Sequence, residues 1–174
     1  MNTEEIIQKC KQNHYSAQIE VYNSFKNLLF SASYRILNNR EDAEDIVQDA
    51  FIHGFEKINQ LNDDGNIGAW FRRIAINKSL DLIRKRKKVF WLEEKQELQQ
   101  VEETNEVNFT GVSIDFIKNC INQLKEKYRI IVVLYMIEDY THREIGEMLQ
   151  INESTVRNQY KRGKDKLLLL LKNQ

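Results

Sequence analysis

Three groups of polar residues in this 174-residue chain have types and spacings suited to gripping another macromolecule. The sharpest lies near the C-terminus, where Glu153, Ser154, Arg157, Asn158 and Lys161 recur at helical steps and so share the polar face of one helix. Side chains of these types reach base edges and phosphates when a helix lies in the major groove. Ahead of them and between them, Ile145, Leu149, Ile151, Val156 and Tyr160 are spaced to bury two short helices against each other at a steep angle. Gly146 falls where those helices would cross, and Asn152 is suited to cap the second one. The alternative is an ordinary helical hairpin with a solvated charged face. Glycine, cap and apolar positions together favour DNA binding.

The second group is the run Asp42-Ala43-Glu44-Asp45-Ile46-Val47-Gln48-Asp49-Ala50-Phe51. Its apolar residues Ala43, Ile46, Val47, Ala50 and Phe51, with Ile58 beyond, fall on one face of a helix spanning 41–58. Asp45, Gln48 and Asp49 fall opposite, and Ile52 joins them on the outward side. An isoleucine between carboxylates reads as a protein-docking patch. On composition alone, a solvated face with one exposed Ile accounts for it at least equally well.

The third group runs from Ala69 to Lys88, where Trp70 and Phe71 lead into a helix ending Arg84-Lys85-Arg86-Lys87-Lys88. Aromatic rings stack on unpaired bases while Arg and Lys hold the backbone, so this pattern suits melted or single-stranded DNA. The polar loop from Asn59 to Asn66 offers hydrogen bonds to a base flipped out of the duplex. Phe71 is better read as core, since Ile67 and Ile74 share its face.

Stepping from these groups to what must position them, every signal is helical. There is no proline and only six glycines, and nothing alternates as a strand does. Interruptions at Asn38-Asn39 and at Asn62-Asp63-Asp64-Gly65 divide the first part. Helices are expected from Ser113 to Asn122 and from Lys125 to Ile137, before the two-helix motif. Net charge is zero, but its distribution is uneven: residues 61–88 carry 8 basic and 3 acidic side chains, and residues 89–112 carry 1 and 6. Two basic blocks around an acidic spacer point to two nucleic-acid contacts. The expected architecture is therefore all-α: a helical domain over 1–88, a flexible acidic linker over 89–112, and a helix-turn-helix domain over 113–174. The apolar island Val89-Phe90-Trp91-Leu92 in the linker is suited to docking on the first domain or on a partner.

Catalytic chemistry finds little support. Cys10 and His14 lie one helical turn apart, but two ligands do not make a zinc site, and His53 and His142 belong to other motifs. No H-x-E with C-x-x-C and no compact carboxylate–histidine set is present, which argues against a nuclease or deaminase. No metal, cofactor or small-molecule substrate is expected. The lack of a membrane-length apolar run or signal-peptide core, with two distant cysteines, points to a reduced cytoplasmic setting. Leu167 to Leu171 form a run of five leucines. At about 100° per residue they cover every direction around a helix, so one or two should face water and offer a partner surface.

With these residues in place, the chain from about 15 to 171 resembles a bacterial RNA polymerase sigma factor of the extracytoplasmic-function (ECF) class. The acidic run is similar to the family's polymerase-binding signature, D-A-E-D-[LI]-V-Q-[DE]. Trp70 to Arg84 matches W-x-x-R-I-A-x-N-x-x-x-D-x-x-R, its promoter-melting helix. The two-helix motif, with Leu124 to Arg129 ahead of it, resembles its C-terminal DNA-reading domain. The resemblance implies that Asp42, Asp45, Gln48, Asp49 and Ile52 bind core polymerase. It implies that Asn62, Asp63, Trp70, Arg73, Asn77, Lys78 and Arg84 engage the melted minus-ten element. Arg143, Glu153, Ser154, Thr155, Arg157, Asn158, Lys161 and Arg162 would read the minus-thirty-five element. It also implies an anti-sigma factor, commonly membrane-bound, covering the polymerase-docking surfaces. Three positions depart from the family pattern: Lys125 stands where proline is usual, Gln150 where the turn usually has glycine, and Ile76 where a basic residue is common. The rival reading is a stand-alone dimeric helix-turn-helix regulator, which leaves the runs at Asp42–Phe51 and Trp70–Arg84 unexplained.

Overall fold

A computed structural model describes residues 3–86 and 113–172, which fall into two compact units. Among the described residues all regular structure is helical. The expectations for the acidic linker, for Val89–Leu92 and for Lys87 and Lys88 lie outside the described residues.

The first unit comprises α1 (Thr3–Lys11), α2 (Tyr15–Leu37), α3 (Arg40–Lys57) continued by a 3₁₀ turn (Ile58–Gln60), and α4 (Ile67–Arg86). Its helix ends are set by asparagines. Asn38 takes a left-handed conformation (φ 50°) and closes α2 by donating its N–H to the Tyr34 carbonyl. The next residue, Asn39, caps α3, its side chain accepting from the Asp42 N–H at 3.0 Å. Asn66 does the same for α4, accepting from the Ala69 N–H at 2.9 Å. α2, α3 and α4 pack mutually, and α1 lies against α2 and the 3₁₀ turn.

Phe71 is fully buried where α3 and α4 meet, with ring centres 4.9 Å from Phe51, 5.1 Å from Phe55 and 5.2 Å from Trp70. Offset and edge-on rings at such distances add to the hydrophobic gain of burial. The expected core face of α3 is found: Ala43, Ile46, Val47, Ala50, Phe51 and Ile58 are all buried. Ile76 is buried too, so the position where the family often has a basic residue serves here as core. α1 precedes the segment, from about residue 15, over which the family resemblance runs. Its Ile7 and Cys10 are fully buried in the same core.

The second unit comprises α5 (Ile114–Gln123), α6 (Glu126–Met136), α7 (His142–Leu149) and α8 (Glu153–Lys172). α6 is its centre: every residue from Tyr128 to Leu134 is buried. α8 packs on α5, α6 and α7. Lys125, at the entry to α6, has φ −54° and ψ 140°, and Leu124 before it is extended at ψ 144°. These are the angles a proline at 125 would impose and the residue before it would adopt. The backbone thus keeps the proline geometry without the proline. Of the five leucines, Leu167 is buried, Leu169 is 51% exposed and the others are intermediate. The expectation of one or two facing water holds for Leu169.

Candidate functional site

Three surfaces carry the residues singled out above. On α3, Asp45, Gln48, Asp49 and Ile52 are all exposed, and their steps of three and four place them on one face. Ile52 is 61% exposed beside those polar groups, while the opposite face is core. Asp42 is different. Its carboxylate accepts two hydrogen bonds from Arg86, at 2.6 and 2.8 Å, which tie the start of α3 to the end of α4. The Arg86 guanidinium holds the Asp42 carboxyl below the usual carboxylate range. Asp42 therefore closes the fold, and its oxygens are committed inside the chain; the other four residues form the open face.

The α4 surface begins at the loop 61–66. Leu61 is buried, a turn joins the Gly65 N–H to the Asn62 carbonyl at 2.9 Å, and Asn62, Asp63 and Asp64 are exposed between these anchors. Asp63 accepts from Lys11 of α1 at 2.6 Å, a partner 52 residues away in sequence. Along α4, Trp70, Arg73, Asn77 and Arg84 share a helical face. Arg73 and Asn77 are exposed, and Trp70, Lys78 and Arg84 are half-buried. Trp70 rests edge-on against Phe71, so part of its indole packs while part remains open. Arg84 pairs with Asp81 one turn earlier.

The helix-turn-helix surface is α7 and the first half of α8. Gly146 is where the two meet: a Cβ there would lie 2.8 Å from the Ile151 carbonyl oxygen, so any side chain would push the turn away. The Ile151 N–H donates to the Gly146 carbonyl at 2.9 Å, closing the turn. Gln150 is left-handed (φ 58°), the conformation for which glycine is usual, and its N–H reaches back to Gly146 and Glu147. The family's turn geometry is thus kept with glutamine in it, at a cost of about 1–2 kcal/mol for a side chain in that region. Ile145, Leu149 and Val156 are buried as expected, with Ile151 and Tyr160 half-buried.

Ser154, Arg157, Asn158 and Lys161 are exposed along one face of α8, with Glu153, Thr155 and Arg162 half-exposed around them. Asn152 stands immediately before α8, its carbonyl accepting the Val156 N–H at 3.1 Å. Arg157 pairs with Glu153 one turn earlier, and Arg143 on α7 pairs with Glu147 at 3.2 Å. Two features of this surface were not anticipated. Thr141 and Glu144 form a reciprocal capping box at the start of α7. The spacing T-x-x-E announces it in the sequence. His142 stacks on Tyr135 with ring centres 4.3 Å apart and lies 5.2 Å from Tyr160. Burial, then the nearby Arg157 charge, lowers its pKa, with Glu153 opposing, so the ring stays neutral at neutral pH.

Cys10 is buried and burial pushes its thiol up to about 11, away from nucleophilic thiolate chemistry. The His14 ring lies 3.2 Å from the Gln12 side chain. Among the described residues no group of three or more metal-ligating side chains is gathered, and no helix is long and apolar enough to cross a membrane.

Residues 21–89 match the family model for sigma-70 region 2, and residues 117–167 match that for sigma-70 region 4. The chain is 30% identical over 172 residues to the ECF RNA polymerase sigma factor SigW of Bacillus subtilis, covering 92% of each chain. It is 29% identical over 153 residues to the ECF sigma factor SigE of Mycolicibacterium smegmatis, covering 85% of this chain and 59% of that one. Its fold is similar to that of CnrH, solved in complex with the cytosolic domain of CnrY (TM-score 0.56, 20% identity, 98% of this chain and 97% of that). It is also similar to that of RpoE, solved with the anti-sigma factor NepR from Bartonella quintana (TM-score 0.55, 18% identity, 92% and 98%). With regions 2 and 4 in order on two helical units, and identity to SigW running nearly end to end, the chain belongs to the ECF class of the sigma-70 family of RNA polymerase sigma factors.

Proposed function

We propose that this sigma factor distributes its work over the three surfaces. Residues 1–88 form the unit that docks on core polymerase through Asp45, Gln48, Asp49 and Ile52. The same unit captures the melted minus-ten strand through the loop 61–66 and the exposed α4 side chains. Residues 113–174 read the minus-thirty-five duplex through α8 and Arg143. The mechanism is binding: phosphodiester chemistry stays with the polymerase, in the cytoplasm, and no cofactor or small-molecule substrate takes part. The observation that carries the reading is the coincidence of an open acidic face, a half-open tryptophan above a basic helix, and a helix-turn-helix, in that order, on a chain matching regions 2 and 4. The structural relative RpoE was solved with the anti-sigma factor NepR, which supports an anti-sigma factor as a third partner here.

Co-purification with core polymerase and run-off transcription from a genomic promoter library test the whole reading. A gel shift in which the chain alone binds duplex DNA tightly, with no gain from core polymerase, would support a stand-alone dimeric regulator instead. Asp45→Ala combined with Gln48→Ala is expected to weaken core binding with helicity unchanged, since both side chains project away from the core. Undiminished retention in a pull-down would remove the docking role from this face.

Arg157→Ala is expected to weaken binding to the preferred upstream element by roughly 1–3 kcal/mol if the guanidinium pairs with a guanine, and to relax preference at that base pair. If it contacts phosphate alone, all sequences should weaken equally and the salt slope should fall by about one. Arg157 also pairs with Glu153, which competes with DNA for its donors and lowers the net gain. An unchanged transcription profile would refute both versions.

A further inference from the structure

The region 2 match begins at residue 21, yet the folded unit begins earlier, with α1. α1 is anchored. Ile7 and Cys10 are fully buried, and the helix ends in a fixed turn where Asn13 is left-handed (φ 59°) and the His14 N–H donates to the Lys9 carbonyl at 3.0 Å. Lys11 is the last residue of this anchored helix. Its Nζ reaches Asp63 Oδ1 at 2.6 Å, with the lysine side chain 18% exposed and the aspartate 55% exposed.

The position of Asp63 gives this pair its meaning. The loop is held at one end by buried Leu61 and at the other by the Asn66 cap on α4, and the Gly65–Asn62 turn spans the rest. Its tip is the exposed stretch Asn62, Asp63 and Asp64. Lys11 reaches that tip from outside the loop, from a helix more than 50 residues earlier in the chain. The tip also holds two successive carboxylates, which repel a polyanionic strand unless one is neutralised.

We propose that Lys11 is a positioning residue for minus-ten recognition: from α1 it fixes and neutralises Asp63, and so sets the shape in which the loop accepts an unpaired base. The inference rests on the reading of the loop as a base-capturing element. An exposed pair of this kind adds little to global stability, so its removal should act on selectivity and leave the fold intact.

The test uses the full chain assembled with core polymerase and a pool of single-stranded DNA oligonucleotides of random sequence, the retained fraction being sequenced. Lys11→Gln is expected to flatten base preference at one position by roughly fivefold or more, the lower range of what one hydrogen-bonded base contact discriminates. Melting temperature and core binding should stay at wild-type values, and Lys11→Arg should restore the preference. Wild-type selectivity in Lys11→Gln overturns the proposal. So does a loss that is uniform across sequences with a shallower salt dependence, which would make Lys11 a phosphate contact. Asn62→Ala separates the two levels. If it flattens preference while Lys11→Gln does not, the loop reads DNA and the positioning role alone is wrong. If neither variant changes preference, the loop reading falls with it.

Discussion

Phe71→Ala is expected to destabilise the first unit by about 3–5 kcal/mol, the range for emptying a fully buried aromatic site. The ring is enclosed by Phe51 and Phe55 from α3 and by Trp70 from its own helix, and all three lie within 5.2 Å of it. These neighbours cannot close in without breaking the packing of α3 on α4. Since whole domains are stable by only about 5–15 kcal/mol, the change removes about a fifth or more of what holds the unit together. The second unit shares no part of this cluster, so its α6 amides should keep their protection while those of α3 and α4 lose theirs. Hydrogen exchange resolved by residue measures both at once. A drop below about 1 kcal/mol in α3 and α4 would show that the aromatic cluster does not anchor the unit.

Gly146→Val is expected to have the largest effect on the second unit. Its Cβ would sit 2.8 Å from the Ile151 carbonyl oxygen and 3.5 Å from the Glu153 nitrogen, which are backbone atoms that no rotamer change can move. The turn cannot give way easily, because the Ile151 N–H is bonded to the Gly146 carbonyl and Gln150 already occupies the left-handed region. Forced overpacking costs about 1–3 kcal/mol and more where backbone must shift. The shift falls on the start of α8, so binding to the upstream element should drop further than stability does. Duplex-binding titrations alongside thermal melts check this. Unchanged DNA affinity would mean that the angle between α7 and α8 does not matter for reading.

Much of this architecture was legible because it is written locally. Asn38 and Asn39 mark a helix end and a helix start, and the structure uses one as a left-handed closer and the other as a cap. The core face of α3 follows from spacing, since each apolar residue there falls on the helical period. The C-terminal motif was readable for the same reason, with Gly146 and the apolar residues in register. The proline missing at 125 changed nothing, because Lys125 adopts the same backbone angles.

What was missed is non-local or too short. α1 spans nine residues with two buried, too few for a period to show. The pairs Asp42–Arg86 and Lys11–Asp63 join residues 44 and 52 positions apart, and no pattern in the chain announces them. For that reason the resemblance placed Asp42 with the docking residues, although its carboxylate accepts from Arg86 within the unit. Trp70 and Phe71 are neighbours in sequence about 100° apart around a helix, which is why one is core and the other half-open. The capping box at Thr141 and Glu144 is the exception: it lay in plain view and went unread.

α8 runs unbroken for 20 residues, with exposed Ser154 and Arg157 near its start and exposed Leu169 near its end. Near its midpoint Gly163 rests on α6, where an added Cβ would lie 2.9 Å from Val132 Cγ2 and 3.2 Å from Tyr128 Cβ. Gly163 divides α8 into two nearly equal arms, and each arm is itself packed, with Val156 buried on one side and Leu167 on the other. Each arm is about 15 Å long, so a tilt of about 5° swings either tip by roughly 1.3 Å. Hydrogen bonds tolerate only a few tenths of an ångström before they weaken. Were α8 to turn as one rigid rod, a shift forced at its leucine end would be felt at Ser154 and Arg157, with no contact made to that face at all.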